Sequence, residues 1–132
     1  MTKINLKIIG SFNRKTSDMS GQFSLQRDGG LPQDSTVKSY GRGADVEAHI
    51  LTARTAVDHL KASLALWGVE PKDCQVQLIV RERSMLERLM LQHTYRMSRP
   101  GEARLAMMAA ELVRDLKAMG GYTVNFIPHY SR

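Results

Sequence analysis

Ile4, Leu6 and Ile8 alternate with Asn5 and Lys7, and Ile9 follows. A period of two predicts a strand, and the extra apolar residue predicts partial burial on both faces. Residues 13–21, NRKTSDMSG, are polar and end in glycine, which predicts a loop. Phe23 and Leu25 alternate with Ser24 and Gln26 as a second strand. Asp28-Gly29-Gly30 reads as a turn, because glycine supplies the positive φ that tight hairpins need. Val37 and Tyr40 mark a short third strand. The three strands are expected to form an antiparallel meander.

The period then changes. Val46, Ile50, Ala53, Val57, Leu60, Leu64 and Trp67 recur at three- and four-residue steps, as in an amphipathic helix of about six turns. Asp45 is placed to cap it, and Gly68 with Glu70-Pro71 stops it. Cys74, Val76, Leu78 and Val80 form a fourth strand. Ser84, with Glu87 in capping-box spacing, opens a short helix carrying Met85, Leu86, Leu89 and Met90. Residues 93–101 form a basic loop. A second long helix starts at Pro100, is traced by Ala103, Ala106, Met107, Ala110, Val113 and Leu116, and ends at Gly120-Gly121. Tyr122, Val124 and Phe126 give the last strand.

The order β-β-β-α-β-α-α-β predicts a single α/β domain. Its sheet is mixed, with five strands, the later ones parallel and helices on its faces. The length of 132 residues agrees with one domain. One cysteine excludes an internal disulfide and a multi-cysteine zinc site. No run of about 18 apolar residues predicts a membrane span. The N-terminus reads as a strand rather than a signal peptide, so a cytoplasmic protein is expected.

Charge narrows the partners. Nineteen basic against thirteen acidic residues give a net charge of +6, divided evenly between the halves. Arg outnumbers Lys twelve to seven, and Arg binds phosphate and carboxylate bidentately. The stretch from Arg81 to Arg104 is densest in Arg. Such a surface suits a polyanion such as nucleic acid, or serves only to keep a protein soluble.

The order resembles the ribonuclease H-like fold over essentially the whole chain. Gly43-Ala44-Asp45-Val46-Glu47-Ala48 resembles the start of that family's first long helix, and Glu47 falls where the family has a catalytic glutamate. Val80-Arg81-Glu82-Arg83-Ser84-Met85-Leu86 resembles the fourth strand running into a helix, with Glu82 at the place of an aspartate. Val124-Asn125-Phe126-Ile127-Pro128-His129 resembles the fifth strand and the loop histidine after it. The family's first strand ends in an acidic metal ligand, whereas Gly10-Ser11-Phe12-Asn13 holds no carboxylate here. The sequence is also expected to end before the family's last, acid-bearing helix. The resemblance thus leaves two of four carboxylates.

Phosphodiester hydrolysis by two Mg²⁺ about 4 Å apart needs hard oxygen ligands and neutralising charge. Glu47 and Glu82 would hold at most one Mg²⁺ weakly, so no cofactor is expected. Arg81 and Arg83 flank Glu82 and oppose a cation. Without metal, Glu47 is a helix first-turn acid and Glu82 the partner of a neighbouring Arg. His49 and His59 lie ten apart on one helix and lack zinc-pair spacing. Cys74 reads as a core residue and Gly41-Arg42-Gly43 as a turn.

The leading expectation is a degenerate, non-catalytic ribonuclease H-like domain, a pseudoenzyme that binds RNA, DNA or a hybrid. Its phosphate-binding candidates are Arg14, Lys15, Arg42, Arg81, Arg83, Arg96 and Arg99, with Tyr95 and Tyr130 as stacking candidates. One alternative is a protein-interaction module that docks basic helices bearing Met85, Met90, Met107, Met108 and Met119 on an acidic partner. The other is a metal-dependent nuclease using Glu47 and Glu82.

Overall fold

The computed structural model describes residues 1–83 and 100–127. Strands β1 (Thr2–Asn13), β2 (Asp18–Arg27) and β3 (Gln33–Arg42) precede helix α1 (Asp45–Trp67). A short 3-10 turn at Pro71–Asp73 leads into β4 (Cys74–Val80), and helix α2 (Pro100–Lys117) precedes β5 (Gly121–Phe126). The expected helix after Ser84, most of the basic loop and residues 128–132 lie outside the described residues.

The five strands form one mixed sheet in the order β3-β2-β1-β4-β5. β1 pairs antiparallel with β2, and β2 with β3, as expected of a meander. β1–β4 and β4–β5 are parallel. Ile4, Leu6 and Ile8 of β1 share one apolar cluster with Leu60 of α1, Val76 and Leu78 of β4, and Leu112 of α2. Successive residues of a strand point to opposite faces. Both helices therefore cover one face of the sheet, and the opposite face carries no helix among the described residues.

Three expectations about strands are corrected. Residues 13–21 are not a loop: β1 runs to Asn13, β2 starts at Asp18, and only residues 14–17 turn. The third strand spans ten residues rather than a few around Val37 and Tyr40. Backbone pairs such as Ser11↔Ser20 and Gln22↔Thr36 need no apolar side chains, so hydrophobic alternation is silent there. Gly121 opens β5 instead of closing a helix, since α2 ends at Lys117.

The helices correct two more. Asp45 is not the cap of α1: Ala44 holds that position without a side-chain hydrogen bond, and Asp45 is the first helical residue. On α2, Met107 and Ala110 are exposed, while Leu105, Met108, Ala109, Leu112 and Leu116 are buried. Gly68 ends α1 in the left-handed conformation, as expected. Three ion pairs at seven-residue steps of α1 set α2 beside it. These are Glu47–Arg104 (2.8 Å), Arg54–Glu111 (3.3 Å) and Lys61–Asp115 (3.1 Å). No helix among the described residues is long and apolar enough to cross a membrane.

Candidate nucleic-acid interface

β1, β3 and β4 all run the same way, because β1 is antiparallel to β2, β2 to β3, and β1 is parallel to β4. Their C-terminal ends meet at one end of the sheet, where α1 begins. Arg14 and Lys15 occupy the turn after β1, Arg42 is the last residue of β3, and Arg81 and Arg83 follow β4. The fold thus sets five of the seven basic candidates towards one end, in two groups: Arg14, Lys15 and Arg42 level with Asn13, and Arg81 and Arg83 just past Val80, which pairs with Ile8 five residues earlier on β1. Arg96 and Arg99 lie outside the described residues, as do Tyr95 and Tyr130.

Local structure holds the first of these groups. Asn13 Oδ1 accepts from the backbone N–H of Lys15 (2.9 Å) and Thr16 (3.3 Å), shaping the turn. Arg42 Nε donates to Thr16 O at 3.2 Å, tying the end of β3 to the same turn. That uses one of five guanidinium N–H donors.

Between the ends of β1 and β4 and the first turns of α1 lies a cleft lined by Ile9, Gly10, Ser11, Asp45, His49, Arg81 and Glu82. His49 is buried, with 7 % of its surface exposed. Its Nδ1 accepts from the Gly10 backbone N–H at 3.0 Å, and its Nε2 lies 3.5 Å from Asp45 Oδ1. Loss of hydration holds the imidazole below its ordinary value of 6.5, against the opposing pull of Asp45 and Glu82. With both ring nitrogens engaged, His49 braces α1 on β1 rather than serving as a free base. Sequence spacing missed this role. The signal was Asp45 and His49 four residues apart, hence on one helix face.

At Gly10 no side chain fits. A Cβ at Gly10 would lie 2.5 Å from the His49 backbone nitrogen. The opposite residue on β2 is also glycine, Gly21, and it lies under Thr52. The glycine pair lets α1 settle onto the sheet and leaves no room for a side chain at position 10. The neighbouring Ile9, which lines both the cleft and the helix-free face, is apolar.

Glu47 does not line the cleft. It is buried at the α1–α2 contact, with Oε2 2.8 Å from Arg104 Nη1 and off the line of a hydrogen bond. The pairing is therefore coulombic. Glu47 and Glu82 are not brought together as a ligand pair; Asp45 and Glu82 are the carboxylates that share the cleft. Arg81 shares it too, and opposes a cation. Among the described residues no three His, Cys, Asp or Glu side chains group to hold a metal ion. The donors among the described residues do not fit the two-Mg²⁺ site of the resembled family.

Burial pushes the Cys74 thiol up, as suits a core residue. Met108 and Met119 are in the core, Met107 is 64 % exposed, and Met85 and Met90 lie outside the described residues.

No family model matches the sequence, and no curated protein matches it. Solved structures do match in fold. RNase H1 from the halophilic archaeon Halobacterium salinarum superposes with a TM-score of 0.69 at 15 % identity, covering 96 % of this chain and 86 % of that one. The N-terminal RNase H domain of a Mycobacterium tuberculosis protein gives 0.69 at 12 % identity, covering 96 % and 88 %. LC11-RNase H1 in complex with an RNA/DNA hybrid gives 0.71 at 15 % identity, covering 95 % and 85 %. Strand order, helix placement and these superpositions together give this chain the ribonuclease H-like fold.

Proposed function

We propose that this domain binds nucleic acid and does not cleave it by a two-metal route. The observation that carries the reading is the placement of Arg14, Lys15, Arg42, Arg81 and Arg83 towards one end of the sheet, in two groups spaced along β1. Cations from three separate segments of the chain are spaced along that end, which suits the successive phosphates of a backbone. Such contacts position a strand and read no sequence. The likeness in fold to a protein solved with an RNA/DNA hybrid supports the same reading. The cleft chemistry supports its second half, since β1 brings no acid to it and Arg81 opposes a cation beside Asp45 and Glu82.

The test is fluorescence anisotropy on labelled hybrid, duplex and single strands. About four phosphate contacts give a log–log salt slope near −3 to −4 on a duplex. Arg14→Glu with Arg42→Glu is expected to weaken binding at least tenfold. No binding to any nucleic acid at ~50 mM salt overturns the reading. Incubation with Mg²⁺ or Mn²⁺ tests the second half. Turnover that disappears in both Glu47→Gln and Glu82→Gln would make the chain a nuclease.

A further inference from the structure

The helix-free face of the sheet holds a recess of about 160 Å³. It spans two adjacent rungs of the ladder, Lys7–Ser24–Asp34 and Ile9–Gln22. On the β4 side Arg81 closes it, two residues beyond Ile79, the partner of Lys7. A protein cavity of about 150 Å³ holds a benzene ring, so this recess has room for one planar six-membered ring. Half-buried Ile9 provides an apolar surface for the ring. Lys7 and Arg81 add positive charge at the rim, and Gln22, Ser24 and Asp34 add hydrogen-bonding groups.

An apolar contact surface beside two cations fits a heteroaromatic ring carried on a phosphate chain. A duplex cannot supply one without flipping it, because its bases are stacked and paired; a single strand can. Asp34 narrows the choice of base. An ionised carboxylate only accepts hydrogen bonds. Cytosine, adenine and guanine carry an amino donor, whereas thymine and uracil present a carbonyl where cytosine presents its amino group.

We propose that this recess takes one unstacked, amino-bearing base of a single strand. Lys7 and Arg81 hold the flanking phosphates and Asp34 accepts from the amino group. The proposal rests on the nucleic-acid reading above and adds to it a strand type, a base preference and a second contact surface. The strand runs from the basic end of the sheet onto its helix-free face.

The experiment compares short oligocytidylate and oligouridylate RNAs by anisotropy on the full chain. Oligocytidylate is expected to bind about fivefold more tightly, the worth of one net hydrogen bond. Asp34→Asn, with a carboxamide that both donates and accepts, is expected to erase the preference while leaving the melting temperature unchanged. Lys7→Glu is expected to weaken both RNAs about tenfold. Equal affinity for the two RNAs, or a preference that survives Asp34→Asn, overturns the base recess. So does an inert Lys7→Glu in a protein whose binding Arg14→Glu and Arg42→Glu abolish, and that result leaves the nucleic-acid reading standing. Failure to bind any oligonucleotide overturns both.

Discussion

The backbone N–H of Gly10, near the end of β1, donates to Nδ1 of His49 on α1 across 3.0 Å. The bond fixes the neutral ring as the Nε2–H tautomer, with that proton facing Asp45. It also fixes how deeply the start of α1 sits on the sheet, and so the shape of the cleft between them.

Any side chain at position 10 would push α1 away. Gly10→Ala is expected to destabilise the protein by about 1–3 kcal/mol, the range for overpacking a tight contact. Ser11→Ala, at the exposed neighbour, is expected to stay within about 0.5 kcal/mol. Urea unfolding of the two variants checks this. Equal stability would mean that α1 does not press on β1.

His49 gives stability a pH dependence. Its folded-state pKa lies below the ordinary 6.5, so the unfolded chain takes up the proton first as pH falls. Stability is whole above about 6.5 and declines as pH drops from there towards the lowered folded value, by at most ~1.4 kcal/mol per pH unit for one group. His49→Asn keeps an acceptor near Nδ1 and removes the titration. Its unfolding free energy is expected to vary less than the parent's between about pH 7 and pH 5, a window below the ordinary imidazole value. Identical pH profiles would count against the buried neutral ring.

Arg104 neutralises a buried carboxylate. Arg104→Met leaves Glu47 Oε2 without its cation and is expected to cost about 1–2 kcal/mol, at the low end because Arg104 is mostly exposed and screened. Adding Glu47→Gln is expected to recover part of that loss. A double-mutant cycle by chemical denaturation gives the coupling directly, and a coupling of zero would remove the ion pair from the account.

The methionines of α2 separate by burial. Met108→Ala is expected to cost about 2–4 kcal/mol as a core truncation. Met107→Ala is expected to lie within about 0.5 kcal/mol, being at the surface. Thermal melts of both variants check the assignment. A large loss from Met107→Ala would point to a face of α2 that is covered in solution.

The alternation of Ile4, Leu6 and Ile8, the long stripe from Val46 to Leu64, and Cys74 to Val80 were legible because each is a core-facing pattern. Burial forces such patterns into the sequence, and their order was enough to place the chain in a mixed-sheet fold. Edge strand β3 was nearly illegible, since its pairing is backbone to backbone and its side chains are polar and exposed. The extension of β1 to Asn13 was hidden for the same reason.

The site divides similarly. Sequence determined that the first strand brings no carboxylate and that the basic residues lie near strand ends. Only the tertiary structure decided that Arg14, Lys15, Arg42, Arg81 and Arg83 share one end. Their shared end depends on β4 pairing parallel with β1, a distant contact that no local pattern encodes. Glu47 looked equivalent to a cleft acid because sequence spacing gives a position along a helix but not the neighbour each face meets. The packing of α1 against α2 turned Glu47 to Arg104, and the close approach at Gly10 brought Asp45 and His49 to the cleft instead.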